Sequence, residues 1–111
     1  MKPLKWTGTS REAVLQFTDL ARQRAGYQLY RVQVGLEPFD WKPMASVGPG
    51  VREIRIHAES EFRVIYIAVF DEAVYVLHAF QKKTRKTAKS DVDLAKKRFK
   101  ELIKARRGKT Q

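Results

Sequence analysis

Residues 51–86 read VREIRIHAESEFRVIYIAVFDEAVYVLHAFQKKTRK and hold three apolar runs rich in β-branched and aromatic residues. The runs are Val51–Ile56, Phe62–Phe70 and Ala73–Phe80, broken at His57–Glu61 and at Asp71-Glu72. Such runs, separated by turn-like residues, predict consecutive antiparallel strands. The middle run is apolar at both alternating sets of positions. Phe62, Val64, Tyr66, Ala68 and Phe70 make one set; Ile65, Ile67 and Val69 make the other. A strand covered on both sides is central in its sheet.

Basic residues interrupt this pattern. Arg52, Arg55 and Arg63 lie within the runs, and Lys82, Lys83, Arg85 and Lys86 follow the last one. A desolvated guanidinium is costly unless something pairs with it, and phosphate is the leading candidate. Arg63 belongs to the Ile65, Ile67, Val69 set, which predicts a position near the end of the central strand, where the sheet opens. Period-2 spacing places Glu53, Arg55 and His57 on one face of the preceding strand. Arg63 reaches that strip if the pairing allows.

The flanking segments read as helices. Leu4-Lys5-Trp6 is a short strand or an extended lead-in. Thr9 and Glu12 match a capping box for a helix to about Phe17. Thr18-Asp19 offers a second cap for a helix over Leu20–Val34, closed by Gly35. The spacing predicts a helical hairpin or one bent helix, with Gly26 permitting a close helix–sheet approach. Phe39–Gly50 is read as a loop, whose Phe39, Trp41 and Met44 either anchor it to the core or form a stacking platform. Ser90 to Asp93 resembles another capping box, and a helix follows over about Asp91–Arg106, ended by Gly108. Its apolar stripe is Val92, Ala95, Phe99, Leu102 and Ile103. Helices before and after a strand meander indicate an α+β sandwich. A chain of 111 residues is one domain, 1–111, with a disordered tail at 109–111.

Charge narrows the partner. Residues 81–111 carry 13 Lys or Arg against three acids, a net of +10 out of +11 for the chain. This asymmetry points to a polyanion, nucleic acid ahead of an acidic membrane surface, or else to a solvated tail. The chain has no cysteine, which excludes disulfides and thiolate metal sites and fits a reducing cytoplasm. No apolar run approaches the roughly 20 residues that span a bilayer, and the N-terminus lacks an apolar signal segment. His57 and His78 have no metal-ligand spacing, and no motif implies a cofactor.

VREIRI, EFRVIYIAVFDEAVYVLHAFQKKTRKT and DLAKKRFKEL, with the upstream GYQLYRVQVGLEPFDWKPMASVGPG, resemble the RelE/HigB superfamily of toxin–antitoxin toxins. The branch they resemble is the phage-derived HigB-like one, and the likeness covers residues 26–102. It implies a RelE-like fold: N-terminal helical hairpin, antiparallel meander of three to four strands, C-terminal helix. It also implies a ribosome-dependent endoribonuclease that cuts messenger RNA through the RNA 2′-hydroxyl. The implied partners are the ribosome, its mRNA and a cognate HigA-like antitoxin with a helix-turn-helix domain. Two alternatives stay open, a ParE-like gyrase poison without catalysis and a degenerate RNA-binding module.

The resemblance also implies roles. Arg55 matches a basic strand position, Arg63 the arginine before the aliphatic run, and Lys82 or Lys83 the basic residue after the last strand. A guanidinium suits phosphorane stabilisation, being planar, always charged and bidentate. Arg63 is expected in that role, with Lys82 or Lys83 binding phosphate or protonating the leaving group. Lys82, Lys83, Arg85, Lys86, Lys96, Lys97 and Lys100 are expected on RNA phosphates. RelE-type enzymes use a tyrosine near the C-terminus, but no Tyr follows Tyr75 here. Glu53 and His57 stand as acid–base candidates. Against those roles, Glu53 reads as an exposed salt bridge and His57 as a solvated turn residue. His78 is expected as a packed, hydrogen-bonded histidine on a face with Val76 and Phe80.

Overall fold

The computed structural model describes residues 1–109. Its elements are β1 (Leu4–Trp6), α1 (Ser10–Leu15), α2 (Asp19–Gln33), β2 (Trp41–Pro43), β3 (Val51–His57), β4 (Glu61–Ile67), β5 (Val74–Lys82) and α3 (Lys89–Lys109). One five-stranded sheet has the order β1-β5-β4-β3-β2. β4 is central, as its two apolar sets require. β2 to β5 pair antiparallel, but β1 runs parallel to β5, so the sheet is mixed and wider than the expected meander. Both additions are three-residue edge strands. Pro43 made β2 read as loop, yet an edge strand tolerates a residue without an N–H.

The two sheet faces have separate covers. Val14 of α1, Phe17 of the joint that follows it, and Ala21, Ala25 and Leu29 of α2 bury against Ile54, Ile56, Val64, Tyr66, Val74 and Val76. Ala95 and Leu102 of α3 bury against Val51, Ile65, Ile67, Tyr75 and Leu77 on the opposite face, with Met44 and Val47 beside them. α1 lies mainly on β5 and α2 on β3. They are successive covers of one face rather than a hairpin packed on itself.

Local signals met mixed fates. The Thr18 hydroxyl accepts from Ala21 N–H at 3.3 Å and caps α2. Gly35, at φ +88°, closes α2 with its N–H on Val32 O and that of Leu36 on Arg31 O, a Schellman pair. Thr9 does not cap α1. Its hydroxyl accepts instead from Arg98 Nη2 at 2.8 Å, while Arg98 Nη1 bonds Leu77 O at 2.9 Å. This buried guanidinium ties α3 to β5 and α1, and burial lowers its pKa. Gly8, at φ +51°, admits it, because a Cβ there would stand 2.6 Å from Arg98 Nε.

α3 starts at Lys89 and continues past Gly108, which therefore does not end it. Asp91 faces His78 rather than an open helix end. Of the proposed disordered tail, Lys109 is helical, and Thr110 and Gln111 lie outside the described residues. Met44 is buried as expected, but Phe39 is 70% exposed and anchors nothing.

β5 contains one residue more than its ladder needs. Ile65 pairs with His78 but Tyr66 pairs with Val76, leaving Leu77 as a bulge. Val74, Val76 and Ala79 face α1 and α2, whereas Tyr75 and Leu77 face α3. His78 and Phe80 therefore share the α3 face with Ile65 and Arg63, and Val76 does not join them.

Gly26 serves no close approach. It is exposed, and a Cβ would meet nothing within 4 Å; Ala21 and Ala25 make the helix–sheet contact. A glycine inside a helix costs up to about 1 kcal/mol relative to alanine. Gly26→Ala should raise stability by about that much and Tm by about 4 °C. A thermal melt with lower Tm would show a contact in the native state that alanine disrupts.

Candidate active site

The strand register builds three rows across the α3 face of the sheet. Glu53, Ile65 and His78 form the first, Arg55, Arg63 and Phe80 the second, and His57, Glu61 and Lys82 the third. β2 extends the first row with Lys42, opposite Glu53. α3 covers the sheet beyond the first row, around Ile67 and Tyr75. The second and third rows stand at the end that α3 leaves uncovered.

Arg55 and Arg63 face each other directly. Like charges at such a pair repel, and carboxylates offset this on both sides. Asp40 Oδ1 lies 3.7 Å from Arg55 Nη1. Arg63 Nη1 bonds Glu61 Oε1 at 3.2 Å and Phe62 O at 2.9 Å, and its Nε lies 3.7 Å from Glu53 Oε1. The two arginines differ in access. The Arg63 side chain is 7% exposed and that of Arg55 37%. Arg63 does not open onto solvent as expected; neighbours hold its guanidinium inside the sheet.

Glu53 is fully buried rather than an exposed strand-face residue. Its Oε2 accepts from Thr87 Oγ1 at 3.3 Å, and Lys42 Nζ lies 3.7 Å from Oε1. Thr87 belongs to the segment between β5 and α3, which crosses above this carboxylate. Glu53 Oε1 and Arg63 Nε make no hydrogen bond among the described residues; charge alone couples them across 3.7 Å.

His57 stands at the open end between two carboxylates. Its Nε2 is 2.6 Å from Asp40 Oδ2 and its Nδ1 2.8 Å from Glu61 Oε1. Only the imidazolium donates from both nitrogens, so both contacts favour the charged ring. Its pKa is raised, first by the Asp40 hydrogen bond and then by the one to Glu61. The Glu61 pKa is lowered, chiefly by His57. Arg24 Nη1 bonds His57 O, fixing α2 to this end of β3.

Lys82 is half-buried beside Glu61, while Lys83, Arg85 and Lys86 are exposed on the segment after β5. Lys97 and Lys100 project from α3 into solvent and Lys96 is half-buried. His78 is buried, with Nε2 on Asp91 Oδ1 at 2.8 Å and its ring stacked on Phe80. Among the described residues no cluster of three or more His, Asp or Glu is arranged to hold a metal ion, and no helix is long and apolar enough to cross a membrane.

Asp40 and Glu61 escaped the sequence reading. Glu61 was legible in principle, four residues from His57 across a tight turn. Asp40 was not, because only the pairing of β2 with β3 brings it to His57.

Residues 12–100 match a known protein family, described as phage derived protein Gp49-like. No curated protein matches the sequence.

Two measurements check this geometry. Removing one partner of a buried pair costs about 3 kcal/mol or more, because the other charge stays buried. Arg63→Ala should show a loss of that size in urea unfolding, and Arg63→Met with Glu53→Met should recover most of it. Equal losses in the single and double variants would dissolve the coupling. The second concerns His57. Because folding raises its pKa, its contribution to stability is complete below the ordinary value of 6.5 and is lost as pH rises through the folded value. NMR titration should place His57 above 6.5 and the Asp40→Asn variant nearer to it. An unmoved titration in that variant would leave Glu61 as sole cause.

Proposed function

The chain belongs to the Gp49-like phage-derived family, a toxin–antitoxin-associated family of the RelE/HigB-type toxin group, and from that premise we propose that it is a type II toxin that cuts ribosome-bound messenger RNA. The observation that carries this reading is the pairing, at the uncovered sheet end, of an accessible guanidinium with a cationic imidazole. Both groups suit the cleavage of a phosphodiester by its own 2′-hydroxyl.

In that reaction the 2′-oxygen gives its proton to solvent water and bonds to phosphorus, and the bond to the 5′-oxygen breaks. The products are a 2′,3′-cyclic phosphate and a 5′-hydroxyl. Charge accumulates on the phosphorane, and the leaving oxygen needs a proton. Arg55 is the cation with access to the phosphorane. His57, charged and held by Asp40 and Glu61, donates the proton to the leaving oxygen when that oxygen takes the place of one of the two carboxylates on the ring. Arg63 acts from behind as a positioning residue, fixing the Glu61 carboxylate that orients His57. Lys82 and Lys83 bind the flanking phosphates. Arg85, Lys86, Lys96, Lys97 and Lys100 add salt-dependent contacts to ribosomal RNA. An antitoxin partner, HigA-like in this reading, holds the toxin inactive.

Losing one donor to a developing oxyanion costs on the order of 100- to 1,000-fold in rate. Arg55→Ala should therefore fold, associate with ribosomes and cut mRNA that much more slowly, as read by primer extension on messages after induction. His57→Gln should slow cleavage and remove the alkaline limb of its pH–rate profile. Wild-type induction should stop growth with discrete cuts inside translated frames. DNA breaks without such cuts would favour a gyrase poison, and normal growth with soluble protein would sink both toxin readings.

A further inference from the structure

A groove of about 490 Å³ lies between α2 and the end of β3, lined by Arg24, Tyr27, Gln28, Phe39, Arg55 and Ile56 among others. Two features set it apart from the rest of the surface. Tyr27 is 51% exposed and Phe39 70%, and their rings meet as an open V with centroids 5.9 Å apart at 51°. Around this V stand three arginines. Arg31 stacks on the Phe39 ring at 4.3 Å, Arg24 bonds the carbonyl of His57, and Arg55 lines the groove itself. The one acid lining it, Asp40, is already engaged by His57 and Arg55.

We propose that this groove is a nucleobase subsite, in which one unpaired base of an RNA strand stacks on Tyr27 and Phe39 while its phosphate reaches Arg55. The proposal rests on the endoribonuclease reading, and it assigns a base-binding role to two residues that lie outside the proposed chemistry. Exposed aromatic rings among arginines are the composition that holds single-stranded nucleic acid, since every base offers a π-face and guanidinium groups both stack and bind phosphate. Continuity supports it as well. Arg55 and His57 belong both to the groove and to the uncovered sheet end, so a strand whose phosphate sits on Arg55 has its neighbouring base within reach of the V. Arg24, Arg31 and Arg55 around the groove meet an anionic strand favourably along this path. The amide of Gln28 is fixed here by accepting from Phe39 N–H at 2.8 Å, which holds the Phe39 backbone against α2.

The test is the affinity of the full-length protein for a short single-stranded RNA made uncleavable by 2′-O-methylation, measured by fluorescence anisotropy over a salt series. Tyr27→Ala and Phe39→Ala should each weaken binding on the order of 10- to 100-fold, the usual size of a lost base stack, without changing the salt slope. Lys96→Gln with Lys97→Gln and Lys100→Gln should do the opposite and flatten the slope. Tyr27→Trp should bind at least as well as wild type, whereas Tyr27→Leu, which keeps apolar area but no π-face, should bind like Tyr27→Ala. Each variant alters an exposed side chain, so folding is retained and is checked by thermal melt. Wild-type affinity in Tyr27→Ala and Phe39→Ala, alongside normal mRNA cutting, would overturn the subsite and leave the nuclease reading standing. Unchanged RNA affinity with loss of binding to a co-expressed antitoxin would make the groove a protein-docking surface instead. No RNA binding by wild type at low salt would overturn the subsite, while the nuclease reading stands or falls on discrete cuts inside translated frames.

Discussion

Between Ile65 and Tyr66 of β4, the partner strand β5 contributes three residues where two would suffice, and the rest of the uncovered sheet end depends on that surplus. Side chains alternate faces along a strand, so one inserted residue exchanges the faces of everything after it. Without the bulge at Leu77, Phe80 and Lys82 would point toward α1 and α2. With it, they join Arg63 and Glu61 on the face that α3 only partly covers. Ahead of the bulge, plain alternation lets β5 fill both cores, with Val74 and Val76 on one side and Tyr75 and Leu77 on the other.

Once these groups share a face, electrostatics decides their states. Two arginines lie directly opposite each other, which stands only because Asp40, Glu53 and Glu61 are distributed among them. The buried pair and the exposed pair have different consequences. Arg63 and Glu53, both removed from water, lie 3.7 Å apart, with Glu61 and Phe62 O also on Arg63 and Thr87 and Lys42 on Glu53, and replacing either member leaves the other's charge buried with less to offset it. Arg55 and His57 keep access to solvent, with Asp40 beside both and Glu61 beside His57. The architecture thus sorts cations of one sequence type into a structural set and an available set.

The charged segments differ in the same way. Most of the net positive charge follows β5, on residues that face water and suit long-range attraction to a polyanion. Arg98 and Arg106 are exceptions within that segment: Arg98 bonds Leu77 O and Thr9 inside the sandwich, and Arg106 pairs with Glu72 and stacks on Phe70. Counting cations along the chain therefore overstates what a phosphate backbone can touch. The Gp49-like family membership gives that surface a biological setting, while Asp40, Glu53 and Glu61 set Arg55, Arg63 and His57 apart as cations beside carboxylates at the uncovered sheet end.

The sequence by itself determined the central strand, the two covers and the joint between α1 and α2. Those are properties of local periodicity and of caps such as Thr18 and Gly35, which act within a few residues. It also determined that Glu53, Arg55 and His57 share a face, because period 2 is local. Tertiary structure decided what sequence spacing does not encode. The edge strands β1 and β2 are too short to show a pattern, and only their partners stabilise them. The bulge at Leu77 depends on the register of β4 against β5, so alternation alone wrongly groups Val76 with His78 and Phe80. Burial of Glu53 follows from Thr87 crossing over it and that of Arg63 from the carboxylates around its guanidinium, and hydropathy along a strand cannot report a neighbour 34 residues away. Asp40 reached His57 through strand pairing alone. Charge, caps and alternation are written along the chain; which charges are desolvated, and by whom, is settled only when distant strands meet.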